Sequence, residues 1–508
     1  MPKSSPTSEQ FWLAVDQGTQ STRAAVFDSR GQLIELCQVP VSLRRNSESF
    51  VEQDGTELAE SIWHAISKVV TAENRHQIRA AGLATQRSSV IAWNRNSGET
   101  LSNVISWQDV RGEELIESFD PKTVTRIQRT SGLPLSPHYG ASKIRWLVDR
   151  LRSQGVDLDS GEVCIGSLSS FLLWNMVDQK RPCQVDHANG GRTQLMSFEN
   201  RDWDDNLLRC FGIPRSVLPE LRPTQFDFGF LARRKPFEDS NIPIRVCQGD
   251  QTAAVFGYGD LPDGLAHVNL GTGGFILALA GEIKSLRDRG ELPLLISLAN
   301  STETKADYFV EGTVNGAGAA IKWAADRLGL VSVEKNLDAW AQSIENPYLF
   351  FNSVGGIGSP IWNSSPRQSL ANRWFDHDLA LIVEQAAEQA MIGVLESIVF
   401  LVTMNLETMR DFGISISKLR LTGGVARSDA VCQRLADLSG CQILRPSESE
   451  STLLGIARLL GNQFTDPVEN GTIKNKRAEK TEQSFSPRNN RSLAQRFEAF
   501  KNLINRIG

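Results

Sequence analysis

Five stretches of this sequence hold residue types that could carry chemistry. In Asp16-Gln17-Gly18-Thr19-Gln20-Ser21-Thr22-Arg23 a glycine turn would bring backbone N–H groups close to phosphate oxygens. Asp16, at the end of an apolar run, could face a divalent cation, and Arg23 could offset phosphate charge. An ordinary hairpin with polar turn residues reads the same way. In Gly249-Asp250-Gln251-Thr252 the carboxylate is either a helix cap or a base that takes the proton of an attacking hydroxyl. Gly271-Thr272-Gly273-Gly274-Phe275 is a glycine-rich turn without the GxxxxGK[ST] spacing of a P-loop. Gly423-Gly424-Val425-Ala426-Arg427-Ser428 would let a flat ring or a phosphate lie against backbone, or is simply a tight strand-to-helix turn. Gln86-Arg87-Ser88, with Trp107-Gln108-Asp109-Val110-Arg111, could hydrogen-bond a polyhydroxylated substrate under an aromatic ring. The plainer reading is a core tryptophan and surface charges.

These stretches need strands and turns to hold them. The runs at 11–15 and 24–27, the turn Asp28-Ser29-Arg30-Gly31 and the extended LIELCQVPVSL predict a β-meander. Asp54 or Thr56 should cap a helix with Leu58, Ile62, Trp63 and Ile66 on one side. Residues 78–84 and 90–93 read as further strands. Strands first, then a helix, then a strand is not the strict alternation of a dinucleotide-binding fold. Residues 266–270 and 276–280 flank a second Gly-Thr turn, which suggests an internal duplication. Helices are expected over 314–329, 378–412 and 429–439, and a strand over 419–422. Residues 465–490 read as a linker, and 491–507 as a terminal helix with Leu493, Phe497, Phe500 and Ile504 on one side.

The chain has 508 residues, a formal net charge of −5, 40% hydrophobic and 22% charged residues. Such a composition excludes global disorder, and the length suggests two to four domains. No basic surplus marks nucleic acid as a partner. No apolar run reaches the roughly 18 residues of a membrane span, and MPKSSPTSEQ has no apolar core of a signal peptide. Seven cysteines, an odd number without a CxxC, argue against a disulfide framework or zinc site and fit a reducing cytoplasm.

The set and order of the five motifs resemble the FGGY carbohydrate kinases, and within them the glycerol kinases. Supporting stretches are SGLPLSP (131–137), KIRWLVD (143–149), RDWDDNLL (201–208), EGTVNGAGAAIKW (311–323) and RPSESESTLLGIARLLG (445–461). The resemblance covers roughly residues 11–462. It implies an α/β actin-like ATPase fold, two RNase H-like domains flanking a nucleotide cleft. The expected division is a disordered N-terminus (1–10), an N-terminal domain (11–256), a C-terminal domain (257–464) and a linker with terminal helix (465–508). The implied cofactors are ATP and Mg²⁺. The implied partner is a small polyol or sugar, with no nucleic acid or membrane, and the family allows a homo-oligomer. Carried over by motif, Asp250 is the catalytic base, and Asp16 with Asp250 is the metal site. Thr19, Gln20, Arg23, Thr272, Gly318, Lys322, Gly424 and Ser428 are ATP contacts. Arg87, Ser88, Trp107, His138, Asp250, Gln251 and Phe275 line the acceptor site.

Two acceptor positions depart from the glycerol-kinase pattern. Gln86-Arg87-Ser88-Ser89 stands where Gln-Arg-Glu-Thr is usual, and His138 stands where a Tyr is usual. Losing a charge-assisted bond to a substrate hydroxyl costs about 1.5–3 kcal/mol of glycerol recognition. The smaller Ser leaves room for a larger acceptor such as a tetritol, pentose or ketose. The Gly-Val-Ala-Arg-Ser loop is also nearer the sugar kinases. The reading is therefore a polyol or sugar kinase, with a pentulose kinase as the alternative. A degenerate sensor and a chaperone-like ATPase on the same fold are the rivals from other classes.

Overall fold

Strand β1 (Phe11–Gln17) has no polar break before Asp16 because both of its faces are covered. Phe11, Leu13 and Val15 share a core with Leu58, Ile62 and Ile66, while Trp12 and Ala14 share another with Leu453, Ile456 and Leu460. A strand of period two can bury both sets only when layers lie on either side of its sheet.

A computed structural model describes residues 10–507 except 48, 179–181, 235–240, 260–261, 282, 284–291, 364–365, 448–449 and 465–481. The expected disorder at 1–9 and most of the expected linker lie outside the described residues. The chain forms two compact units. The first comprises Met1–Asp260, Ser297–Asp307 and Ser449–Asn475, and the second Leu261–Ile296, Tyr308–Glu448 and Lys476–Gly508.

In the first unit β1 pairs antiparallel with β2 (Ser21–Asp28), and β2 with β3 (Leu33–Pro40), which is the expected meander. Helix α1 (Gly55–Val69) follows, and Asp54 is its cap, accepting from Thr56 N at 2.8 Å and Glu57 N at 3.2 Å. Strand β4 (Ile78–Thr85) then lies parallel to β1. Strand β5 (Val90–Asn94) belongs instead to a separate five-stranded sheet, which helix α2 (Gly140–Ser153) packs against. With β6 (Gln225–Phe230) and β7 (Pro243–Gly249), the main sheet runs β6-β7-β4-β1-β2-β3. The short helix α3 (Asp250–Phe256) leaves the end of β7.

The second unit repeats this plan. Strand β8 (Gly264–Leu270) pairs antiparallel with β9 (Gly274–Leu279). After β10 (Leu295–Ser301), strand β11 (Ala306–Val314) pairs with β9. The expected helix over 314–329 is shorter, α4 (Gly318–Leu328), because Val310, Thr313 and Val314 extend the ladder on β9. The helix expected over 378–412 starts later, as α5 (Ala387–Asp411). Before it, the Asp376 carboxylate accepts from Asp378 N and Ala380 N and turns the chain. Helix α5 is long and apolar enough to cross a membrane, but 89% of that window is buried, so it is a core helix. Strand β12 (Ile416–Thr422) runs parallel to β8, followed by α6 (Asp429–Ser439) and β13 (Gln442–Arg445).

The chain then returns to the first unit with α7 (Ser451–Phe464), whose Leu453, Ile456 and Leu460 cover the face of the first sheet that carries Trp12 and Ala14. A single domain boundary near 256 does not capture this return. Residues 483–485 form β14 (Gln483–Phe485), which pairs with β13 and closes the second sheet as β10-β11-β9-β8-β12-β13-β14. The terminal helix is α8 (Arg491–Ile507), docked by Leu493, Phe497 and Phe500 against the second core.

Candidate active site

Asp16 and Arg23 face each other across the β1–β2 ladder, so the hairpin register sets them together. The Gly18 N–H donates to Ser21 O at 3.0 Å and closes the turn between them. Arg23 donates to Asp16 Oδ2, and from its other end to Glu450 Oε2 at 2.8 Å, just before α7. Asp16 is 1% exposed, and its Oδ1 has no hydrogen-bond partner among the described residues. Burial pushes its carboxyl up to about 6; Arg23 holds it down, and the charge of Asp250 adds to the rise. A hard divalent cation takes one or two carboxylates plus phosphate and water oxygens, and an orphaned carboxylate oxygen beside a second acid fits that donor set. Among the described residues no cluster of three His, Cys, Asp or Glu could hold a metal without such help.

Asp250 is the first residue of α3. Gly249 occupies the cap position, and among the described residues Asp250 Oδ1 accepts only from Gln251 N, at 2.7 Å. The helix-cap reading of Asp250 is therefore corrected: one residue too late in the chain, it is left with an oxygen for other work. Burial raises its carboxyl, opposed chiefly by Arg87. Arg87 donates to Gln251 Oε1, and a Cβ on Gly249 would lie 2.7 Å from the Arg87 side chain. A side chain there would displace Arg87 from its place beside the start of α3.

Trp107 is 39% exposed, so the core reading fails. Its indole Nε1 donates to Thr19 Oγ1 at 3.0 Å, and its backbone N to Ser89 Oγ at 3.0 Å. The ring thus lies beside the first glycine turn. The rest of its motif is structural. Asp109, fully buried, accepts from Val51 N and three times from Arg111, once from its backbone N and twice from its guanidinium, which lies 4.3 Å and 4.5 Å from the ring centroids of Phe50 and Trp146. Ser88 is half-buried with φ +65°, an uncommon conformation for a side-chain-bearing residue. His138 Nδ1 lies 3.3 Å from Trp107 O. Gln20 is exposed, and its carbonyl accepts from Val41 N.

In the second unit Gly271 N donates to Gly273 O, and the carbonyls of Gly271 and Thr272 accept from Gly318 N and Ala319 N, both at 2.9 Å. The second glycine turn is therefore fixed to the start of α4. A Cβ on Gly318 would lie 2.7 Å from Gly271 O. Thr272 and Lys322 are exposed, and Phe275 is half-buried on β9 opposite Asn269. Gly423, at φ +95°, lies against Leu270, whereas a Cβ on Gly424 would meet nothing within 4 Å. The backbone of Gly424 thus presents an open face. Ser428 caps α6, accepting from Val431 N and donating to Asp338.

Several residues that shape these loops escaped sequence reasoning. Glu450 had no periodic signal, because it precedes α7 in a run of Glu and Ser. Gln17, Gln53 and Gln86 form a buried amide network, with Gln86 Nε2 donating to both partners and Gln53 Nε2 to Thr19 O. Arg445 donates to Ala426 O and Arg427 O at 3.0 and 2.9 Å and so props the Gly423–Ser428 loop. Asp338, from a distant helix, accepts from Asp429 N and Ala430 N.

Comparison with known proteins places this geometry in a family. The model of the FGGY family of carbohydrate kinases, N-terminal domain, matches residues 11–257, and that of its C-terminal domain matches 266–462. A glycerol kinase of Geobacter sp. (strain M21) is 32% identical over 460 residues, 89% of this chain and 90% of its own. One from Shewanella frigidimarina is 29% identical over 464 residues, 89% of each chain. Among solved structures, Plasmodium falciparum glycerol kinase with ADP superposes with a TM-score of 0.84 at 23% identity, covering 98% of both chains. Xylulose kinase from Rhodospirillum rubrum gives 0.82 at 14%, covering 98% of this chain and 99% of that one. The fold is the expected two-domain, actin-like ATPase fold. With both halves matched in order, the chain belongs to the FGGY family of carbohydrate kinases, phosphotransferases that use ATP and an alcohol group of a sugar or polyol as acceptor.

Proposed function

We propose that the acceptor is glycerol or a related polyol or ketose, and that Asp250 is the base that takes its proton. The observation that carries this reading is the state of Asp250: a carboxylate with its pKa raised by burial, held at the start of α3 beside the Arg87–Gln251 pair. A base whose pKa approaches the working pH accepts a proton from an attacking hydroxyl more effectively. Arg87, Ser88, Trp107, His138 and Gln251 hold the acceptor in this reading, joined by Phe275. Trp107 covers its carbon face, and Arg87 donates to a hydroxyl. Ser88 replaces a carboxylate, which weakens the demand for a small triol and admits longer acceptors.

Thr19, Gln20, Arg23, Thr272, Gly318, Lys322, Gly424 and Ser428 serve ATP. Ser428 does so through its backbone, since its hydroxyl is engaged as a cap. Asp16 Oδ1 and Asp250 would hold Mg²⁺, which when bound neutralises phosphate charge. Arg23 and the amides of the first turn offset the remaining charge, and positioning supplies most of the rate. The cytoplasm is the proposed compartment.

The test is ATP-dependent phosphorylation over glycerol, erythritol, xylitol, ribulose and xylulose. A preference for ribulose or xylulose selects the pentulose-kinase alternative. ATP hydrolysis indifferent to every acceptor selects the ATPase rival. Asp250→Asn should abolish transfer while ATP still binds; normal turnover in that variant sinks the assignment.

A further inference from the structure

Lys143 is a fully buried lysine that the reaction scheme does not use. It lies in the first turn of α2. A cation is poorly placed near a helix N-terminus, where the dipole is positive, and burial without a counter-ion is costlier still. The acid that acts on it, Asp109, is already bound by Arg111 and by Val51 N, and Lys143 makes no ion pair among the described residues. Burial draws its pKa down to about 7, with Asp109 raising it and Arg111 lowering it.

In its ammonium form its three protons instead find three backbone carbonyls. Nζ donates to His138 O at 2.7 Å, Ser88 O at 3.3 Å and Trp107 O at 3.4 Å. Those carbonyls come from three separate segments: the β4–β5 turn, the loop carrying the Trp107 motif, and the chain entering α2. They belong to three of the positions proposed above as acceptor contacts, two of which depart from the glycerol-kinase pattern. Ser88 needs such a hold, because its left-handed backbone carries strain.

We propose that Lys143 is the positioning residue of the acceptor site, its ammonium group tying Ser88, Trp107 and His138 into one rigid wall. The proposal rests on the reading of those three residues as acceptor contacts. Lys143 touches no substrate; it acts by fixing where their backbones lie. Lys143→Met keeps most of the apolar stem but leaves the Ser88 and His138 carbonyls without a donor and Trp107 O with only His138 Nδ1. Lys143→Gln supplies part of the missing donation and is the milder probe.

The experiment measures KM for acceptor and for ATP, kcat and thermal unfolding, using the best acceptor of the panel. Trp107→Ala is the control. A rise in acceptor KM for Trp107→Ala establishes that this wall meets the acceptor; an unchanged value refutes that reading independently of Lys143. Lys143→Met is expected to raise acceptor KM about tenfold or more, with ATP KM within about twofold, and Lys143→Gln to fall between it and wild type. If Lys143→Met does not fold, Lys143→Gln decides by the same split. An unchanged acceptor KM, or acceptor and ATP KM rising together, overturns the proposal.

Discussion

The position of Asp250 depends on Gly455 and Gly257, which let α7 and the end of α3 touch backbone to backbone. A Cβ on Gly455 would lie 1.8 Å from Ala253 O, 2.7 Å from its carbonyl carbon and 3.0 Å from Gly257 N. These are backbone atoms, so no rotamer change relieves the overlap. A carbon–oxygen contact needs about 3.3 Å, so Gly455→Ala must drive the two helices apart by about 1.5 Å. Helix α7 would then lose close packing for Leu453, Ile456 and Leu460 under the sheet. Overpacking of a core usually costs about 1–3 kcal/mol, and a clash with rigid backbone belongs at the upper end. At about 2–4 °C per kcal/mol, the first unit should melt about 6 °C lower or more. The same shift moves Asp250 at one end of α3 and Glu450 at the start of α7. A misplacement near 1 Å costs on the order of 100-fold in rate. The assay pairs calorimetry with kcat on the preferred acceptor. Ala253→Gly should give no rescue, because the obstructing atom is a carbonyl oxygen. A Gly455→Ala protein with wild-type melting and kcat, or one rescued by Ala253→Gly, would refute the reasoning.

Gly424→Ala should be neutral for melting, since its Cβ meets nothing and its φ of −62° suits alanine, yet it should raise ATP KM about tenfold if a ring lies on that backbone; titration of both KM values decides. If Asp16 holds Mg²⁺ as proposed, its pKa near 6 sets the pH below which it loses the charged form, so that activity at limiting Mg²⁺ should fall about tenfold per unit of pH and recover with added Mg²⁺. Stability should run the other way: the folded state keeps the proton, so this contribution is present below the ordinary carboxyl pKa and disappears as pH rises through 6. It is read as the difference between wild type and Asp16→Asn, because His187 and His267, lowered by burial to about 4 and about 3, act oppositely over part of that window. Arg496→Met should loosen the terminal helix, because Arg496 donates to both oxygens of the buried Glu396 at 2.7 and 2.6 Å. Breaking a buried pair costs about 3–5 kcal/mol, here nearer the lower figure because Arg434 still reaches Glu396; amide exchange along α8 reads it.

Legibility followed the range of the physics. The meander, the Asp54 cap and α6 were readable because alternation and capping are local signals. The length of α4 was not, since a long-range ladder on β9 claimed residues through Val314. The motifs named Asp16, Arg23 and Asp250, but composition could not say that Trp107 stays half open or that Asp109 and Arg111 are consumed by each other. Glu450 and Lys143 act through partners 427 and up to 55 residues away, a separation that no window of sequence records.

The duplicated hairpins show how one plan gives unequal chemistry. Each has a strand, a Gly-Thr turn, an antiparallel return and a later strand parallel to the first. Two residues before the turn glycine, the first copy has Asp16 and the second Asn269. Asp16 pairs across its ladder with Arg23, whereas Asn269 lies opposite Phe275 and donates to Thr422 Oγ1 at 3.0 Å on the parallel strand. A neutral amide satisfied by a hydroxyl imposes no desolvation cost comparable to that of a buried carboxylate. The first hairpin therefore bears the charge that a cation would use, and the second keeps only the glycine turn and its hold on α4. Under the proposed roles the asymmetry makes them separable: charge at 16 would govern metal dependence, and backbone at 271–273 the nucleotide. Exchanging only the side chain, as in Asp16→Asn, should remove the first while leaving nucleotide binding without metal intact. Loss of both together would show that the two copies do not divide the work in this way.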